Sequence, residues 1–163
     1  MLVTLTRDLW RRIVAQAASH AREGLGVLVG RRTRTGNALL FHELAVPTIE
    51  STSSHARYYD EEVERARATA VRTYEPLEPL GTWHSHPYKS RRGGALNVQI
   101  SNEDLATMRE EEFELICACF PYGGQRGVKT DLRLERVLNG TVCRAEAWCK
   151  LRGEAVPCRL RVR

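Results

Sequence analysis

Short apolar segments alternate along this chain with longer segments whose apolar residues recur at helical spacing. Residues 5–22 form the first helical segment, with apolar side chains about every three or four positions. The stretch "GLGVLVG" at 24–30 is short, apolar and bounded by glycine, which is typical of a buried strand. Residues 58–74 place their charges on one side and small apolar residues on the other, which predicts a second helix. This alternation favours a fold in which helices pack on a sheet.

The remaining segments extend the same pattern to the end of the chain. Residues 101–111 predict a third helix that begins after Ser101, a favourable cap residue. The other segments are short and apolar, or alternate between apolar and polar residues, and are predicted strands. They cover 38–46, 80–84, 113–120, 128–138, 141–151 and 156–162, the last at a sheet edge. Since no linker interrupts them, we predict one α/β domain over residues 1–163, with a central mixed sheet flanked by helices.

The length and composition are those of a globular protein. A chain of 163 residues with 42% apolar and 28% charged residues can bury about 68–70% of its unfolded surface. No apolar stretch approaches the roughly 20 residues that span a membrane. The N-terminal "MLVTLTRDLWRRIVAQ" lacks the apolar block and the cleavage site of a signal peptide. We therefore expect a cytoplasmic protein without a membrane partner.

The chain is basic, with a net charge of +5 and a pI of about 9.2. Much of the excess lies in "GRRTR" at 30–34, "KSRR" at 89–92 and the C-terminal "CRLRVR". Such charge suits either a nucleic acid or an acidic protein partner. Because no zinc finger, aromatic RNA-binding signature or helix-turn-helix pattern accompanies it, we do not expect nucleic-acid binding.

The chain has five cysteines, an odd number, and no two of them form a Cys-x-x-Cys pair. Cys117 and Cys119 share one side of a predicted strand and are expected to be small core residues. A zinc site built from Cys143, Cys149 and Cys158 stays conceivable, although their spacing fits no zinc-ribbon pattern. Disulfides are not expected in a cytoplasmic protein.

Two histidines stand one residue apart in "GTWHSHP" at 81–87, at the end of a predicted strand. Side chains at i and i+2 of a strand point to the same face, so His84 and His86 project together within reach of one ion. A zinc site needs a third ligand. The third predicted helix offers Asp104, which shares a helical face with Ser101. The alternative is that both histidines are ordinary polar residues at a strand end and that Asp104 is only a helix-start carboxylate.

A catalytic zinc also needs a base that takes the proton of its water. Glu23 is a candidate because it stands at the entrance to the first predicted strand, ahead of an otherwise apolar run. The alternative is a solvated glutamate at a helix end.

Taken together, "EGLGVLVG", "GTWHSHP" and "SNEDL" resemble the signature of the JAMM (MPN+) zinc metalloproteases, and in particular their bacterial stand-alone members. That signature is a glutamate two residues before an apolar residue and a glycine, then His-Ser/Thr-His-Pro, then Ser-x-x-Asp. The residues that fall on its positions are Glu23, His84, Ser85, His86, Pro87, Ser101 and Asp104. The resemblance spans residues 20–120 and implies the cytidine-deaminase-like MPN/JAB fold.

The resemblance implies a zinc-dependent isopeptidase that removes a ubiquitin-like modifier from lysine side chains. His84, His86 and Asp104 would hold one Zn²⁺ per chain. Glu23 would orient and deprotonate the attacking water, and the Ser101 hydroxyl would donate to the oxyanion of the tetrahedral intermediate. The implied partners are a ubiquitin-like protein or its conjugates, together with activating or conjugating enzymes of a bacterial, antiphage pathway.

Two other functions stay open. An endopeptidase that trims a ubiquitin-like or sulfur-carrier precursor would use the same chemistry on a different bond. A non-catalytic MPN-type scaffold would bind partners only. The chain also departs from the family in a longer segment between His86 and Ser101. We hypothesise that the basic, glycine-containing residues 88–100 form a flap over the substrate, and the alternative is a surface insertion with no role.

Overall fold

The computed structural model describes residues 1–19, 23–47, 50–51, 56–57, 60–86, 98–121 and 130–163. Strands dominate this part of the chain, with helices between them. In chain order the elements are β1 (Leu2–Leu5), α1 (Arg7–Ser19), β2 (Leu25–Arg32), β3 (Ala38–Val46), β4 (Glu50–Ser51), β5 (Ala56–Arg57), α2 (Asp60–Tyr74), β6 (Glu78–His86), α3 (Asn102–Thr107), β7 (Phe113–Pro121), β8 (Arg133–Leu138), β9 (Thr141–Leu151) and β10 (Glu154–Val162).

Eight strands form one mixed sheet in the order β10-β1-β3-β2-β6-β7-β9-β8. The sheet closes on itself because β10 also pairs with β9. The first half of β9 pairs with β8 and its second half pairs with β10. This is possible because β9 is 11 residues long. The prediction of a central mixed sheet flanked by helices is therefore confirmed in part: the chain combines one mixed sheet with helices, but the sheet is closed and barrel-like.

The two long helices pack against different faces of the sheet. The apolar face of α1, including Leu9 and Ile13, packs with inward-facing residues such as Trp83 and Leu115 in one core cluster. The small apolar residues of α2 pack against β2. There they contact a second core cluster that includes Val27 and Val29, which face away from the α1 cluster. No helix in the described ranges is long and apolar enough to cross a membrane.

Several predicted elements differ from the structure at their ends, including the strand predicted over 128–138, which begins only at Arg133. Residues 2–5 form β1, a strand parallel to both β3 and β10, and the helix begins only at Arg7. The C-terminal strand is not an edge, since it lies between β1 and β9. The third helix ends at Thr107 instead of residue 111. The partners of β1 come from distant parts of the chain, and a local pattern in four residues cannot reveal them.

The pairing of β6 with β7 places the ends of these two parallel strands side by side. Thr82 lies opposite Glu114, and His84 lies opposite Ile116. This close approach depends on Gly81, because a Cβ atom there would overlap the backbone carbonyl of Phe113. The register therefore brings a carboxylate on β7 beside the histidines of β6.

Candidate active site

The two histidines at the end of β6 turn their rings toward each other. The Nε2 atoms of His84 and His86 are 3.0 Å apart, and the ring centroids are 4.9 Å apart. This convergence follows from strand geometry, because residues two apart share a face. Two imidazole nitrogens that meet at one point can share a proton or bind one cation.

A buried carboxylate fixes the orientation of the first histidine. The Nδ1 atom of His84 lies 2.7 Å from Oε1 of Glu114, and the hydroxyl of Thr82 donates to the other oxygen, Oε2. Glu114 is only 4% exposed. When the carboxylate accepts the Nδ1 proton, the lone pair of the ring is left on Nε2, the atom that faces His86.

The electrostatic surroundings of His84 favour its charged form. Burial alone would lower the pKa of His84, but the hydrogen bond to Glu114 and the negative charges of Glu114, Asp104 and Glu23 outweigh it and raise the pKa above 6.5. Three carboxylates thus act on one imidazole. Such a site attracts a cation, since positive charge is favoured wherever anionic groups converge.

The residue after Glu23, Gly24, is hydrogen-bonded to β6, the strand that carries the two histidines. Gly24 donates its N–H to the hydroxyl of Ser85 at 2.9 Å, and the N–H of Ser85 donates to the carbonyl of Gly24 at 2.9 Å. Ser85 lies between the two histidines and is 1% exposed. This pair of hydrogen bonds ties the start of β2, and with it the half-buried Glu23, to the end of β6.

Ser101 and Asp104 form the start of α3 as a capping box. The Ser101 hydroxyl accepts from the Asp104 N–H at 3.0 Å and donates to Asp104 Oδ2 at 2.6 Å, while the Ser101 N–H donates to the same oxygen at 2.9 Å. The negative charge of Asp104 is one of the causes that raise the pKa of His84. Within the described ranges, no three histidine, cysteine, aspartate or glutamate side chains converge closely enough to hold a metal ion.

The donor set fits zinc in its chemistry. A tetrahedral zinc with Zn–N distances of about 2.0–2.1 Å holds two nitrogen ligands about 3.3–3.4 Å apart, close to the 3.0 Å between the histidine Nε2 atoms. The Glu114 carboxylate on Nδ1 is the usual outer partner of a zinc-binding histidine. A third ligand has to come from a neighbouring carboxylate, and besides Glu114 the negative charges of Asp104 and Glu23 act on His84.

The cysteines lie away from this site, in the core. Cys119 and Cys143 face each other across β7 and β9, with sulfur atoms 2.9 Å apart. All five cysteines are free and buried, which confirms Cys117 and Cys119 as core residues. Cys143, Cys149 and Cys158 are among the described residues in which no metal-binding group is found, so the sequence alternative of a second zinc site is not supported.

A family model for prokaryotic homologues of the JAB domain matches residues 6–120. The chain belongs to this family. The match confirms the resemblance drawn from the glutamate, histidine and Ser-x-x-Asp motifs. No curated protein matches the sequence significantly.

The solution structure of protein DSY2949 from Desulfitobacterium hafniense is similar to this JAB domain. Its TM-score is 0.64 at 17% sequence identity, over 99% of this chain and 92% of the other. At that identity the likeness concerns the fold alone.

Sequence reasoning missed two residues of this JAB-domain site. Glu114 stands in the apolar run "FELICACF", which was interpreted only as a core strand. The sequence could have indicated its role, because a carboxylate inside a buried strand requires a hydrogen-bonding or charged partner. Ser85 matched the motif without an assigned role, and it joins β2 to β6. The hypothesis of a flap concerns residues 88–100, of which 88–97 lie outside the described ranges.

Proposed function

We propose that the protein is a zinc-dependent isopeptidase that removes a ubiquitin-like modifier from lysine-linked conjugates. The observation that carries the proposal is the convergence of the His84 and His86 Nε2 atoms, with the Glu114 carboxylate on the far nitrogen of His84. Membership of the JAB-domain family supports it, because many members of this family are hydrolases. The partner would be a ubiquitin-like protein or its conjugates.

His84, His86 and Asp104 would hold the zinc ion. To serve as the third ligand, the Asp104 carboxylate has to exchange part of its contact with Ser101 for the ion. A bound zinc ion lowers the pKa of its water to about 7 and polarises a carbonyl group. Glu114 keeps the His84 ring in the orientation that presents Nε2.

Glu23 and Ser101 would complete the chemistry. Glu23 takes the proton of the attacking water and passes it to the departing lysine amine, which leaves neutral once it is protonated. The hydroxyl of Ser101, released from Asp104, donates to the oxygen that gains negative charge as the scissile carbonyl becomes tetrahedral. Glu23 precedes β2, and Ser101 is the N-cap of α3.

Two experiments on the purified protein test the proposal. Elemental analysis should find about one zinc per chain, and the double variant His84→Ala/His86→Ala should lose most of it. Glu154→Gln, an exposed change on β10, is the control and should keep the zinc. Full zinc occupancy in the double variant would place the metal elsewhere.

The second experiment compares two substrates that carry the same ubiquitin-like modifier. In one the modifier is joined to a lysine side chain, and in the other it is fused to a linear C-terminal extension. Cleavage of the lysine-linked form supports an isopeptidase, and cleavage of only the linear form supports precursor trimming. Cleavage of neither by the zinc-loaded protein, with retained binding of the modifier, would identify a scaffold.

A further inference from the structure

The helix that carries Asp104 has almost no packing of its own. α3 is six residues long, and none of its residues is buried. A helix this short is marginal in water, because few hydrogen bonds offset the cost of its first turn. Contacts from outside the helix must therefore hold it in place.

Lys150 supplies such a contact at the C-terminal end of the helix. Its Nζ atom donates to the carbonyl of Leu105 at 2.9 Å and to the carbonyl of Met108 at 2.9 Å. These groups belong to the last turn, where carbonyls have no partner within the helix. A positive charge is also favoured at this end by the helix dipole. One half-buried ammonium group thus satisfies two terminal carbonyls.

Trp148 holds the chain just before the helix. Its Nε1–H donates to the carbonyl of Val98 at 3.0 Å. Val98 is 3% exposed and packs with Ile116 and Ala118 in a small core cluster that Trp148 covers. Trp148 and Lys150 stand two apart on β9, so they project from the same face of the sheet.

We propose that Trp148 and Lys150 are positioning residues, which dock the segment Val98–Met108 on β9 and so place Ser101 and Asp104 beside the histidine pair. Neither residue belongs to the sequence motif. Trp148 hydrogen-bonds to the start of the segment and Lys150 to its end. The capping box orders the residues between them. Only the consequence for zinc rests on the proposed function; the docking itself does not.

Hydrogen exchange of the metal-free protein tests the docking directly. Lys150→Met keeps the length and the apolar stem of the side chain but removes the donor. The amides of Leu105 and Met108, which close the helix, should exchange about tenfold faster or more. Lys150→Arg should restore much of the protection because it donates again. Arg161→Met removes an exposed charge from β10 and is the control, expected to leave these amides unchanged.

Trp148→Phe removes the Nε1 donor and keeps an aromatic ring in the cluster. It should speed exchange in residues 98–101 while the core strands keep their protection. Unchanged exchange in both variants would overturn the proposal. Uniformly faster exchange throughout the protein would also overturn it, since it would show a general loss of stability instead of release of this segment.

Zinc affinity gives a second readout. Competition with a chromophoric chelator should show a higher dissociation constant in Lys150→Met than in the parent, because a loosened segment leaves the proposed ligand Asp104 less well placed. Faster exchange with unchanged zinc affinity would refute the positioning role while leaving the docking intact. If the parent protein binds no zinc, the proposed function fails, and the exchange measurements still decide whether β9 docks the segment.

Discussion

The Nδ1 atom of His84 lies 2.7 Å from the Oε1 atom of Glu114, across two parallel strands that are neighbours in the sheet. The carboxylate is buried and its second oxygen accepts from Thr82. A buried charge is costly unless it is paired and hydrogen-bonded, and here both conditions are met. The arrangement sets the tautomer of His84 and adds negative charge next to the candidate zinc site.

Replacing Glu114 with glutamine should weaken zinc binding about 10–100-fold, because the proposed ligand His84 loses the carboxylate that orients it and raises its basicity. The change keeps the size of the side chain, so the fold should persist, as circular dichroism can verify. A chelator competition assay measures the affinity, and Glu154→Gln is the charge-matched control. Equal affinity in the two variants would exclude Glu114 from the metal site.

Replacing Glu23 with glutamine tests whether this residue acts as the general base or as a metal ligand. We expect near-normal zinc content and thermal stability, with cleavage reduced by at least about 100-fold, the lower scale for a general base. Elemental analysis and single-turnover cleavage of a modifier conjugate measure the two quantities. Should the variant turn over as fast as the parent, Glu23 has no part in the reaction. Loss of zinc would make it a ligand.

The sequence predicted those parts of the site that depend on local periodicity. The common face of His84 and His86 follows from the alternation of a strand, and the capping box of Ser101 and Asp104 follows from their spacing at a helix start. The structure contains both features, but within the described ranges it does not bring three metal-binding side chains together. The roles assigned to them remain predictions.

Features that depend on distant pairing could not be predicted in this way. Glu114 meets His84 only through the register of β6 and β7, and no local pattern encodes that register. The closure of the sheet depends on β10 pairing with both β1 and β9. The position of α3 depends on Lys150, more than 40 residues further along the chain.

Replacing Gly81 with alanine should destabilise the protein and disturb the site. The added methyl group would overlap the backbone of Phe113, so β6 and β7 would have to move apart. We expect a loss of about 1–3 kcal/mol in the free energy of unfolding, the scale of an overpacked core. Denaturant unfolding measures it. Gly36→Ala is not a matched control, because Gly36 has a positive φ. Ala70→Gly removes one methyl group at a buried position of α2 and should cost about 1 kcal/mol, which gives a reference for a change of one methyl group.

Cys143 should be unreactive in the folded protein despite an acidic thiol. Hydrogen bonds from Cys117 and Cys119 lower the pKa of Cys143 to about 4, yet Cys143 is 0% exposed. Reaction with iodoacetamide requires access as well as thiolate. Mass spectrometry at neutral pH should find slow alkylation of the native protein and rapid modification of all five cysteines in denaturant. Fast, selective alkylation of native Cys143 would contradict this packing.

Ser101 is the residue in which a structural and a catalytic role overlap, and three substitutions can separate them. Ser101→Ala removes both the cap and the hydroxyl, and it should cost about 1 kcal/mol of stability and about 10²–10³ in cleavage rate. Ser101→Gly also removes the hydroxyl, but glycine caps a helix only a few tenths of a kcal/mol less well. Ser101→Thr keeps both functions and should retain most of the activity.

The comparison of glycine with alanine decides between the two roles. If the hydroxyl donates to the oxyanion, the glycine and alanine variants should lose activity to the same extent, although the glycine variant is more stable. If Ser101 only caps α3, the glycine variant should cleave nearly as fast as the parent. Single-turnover rates with zinc-saturated protein, measured beside thermal unfolding, give both quantities for each variant. The capping box makes the comparison sharp, because the same oxygen accepts from the Asp104 N–H and donates to the Asp104 carboxylate.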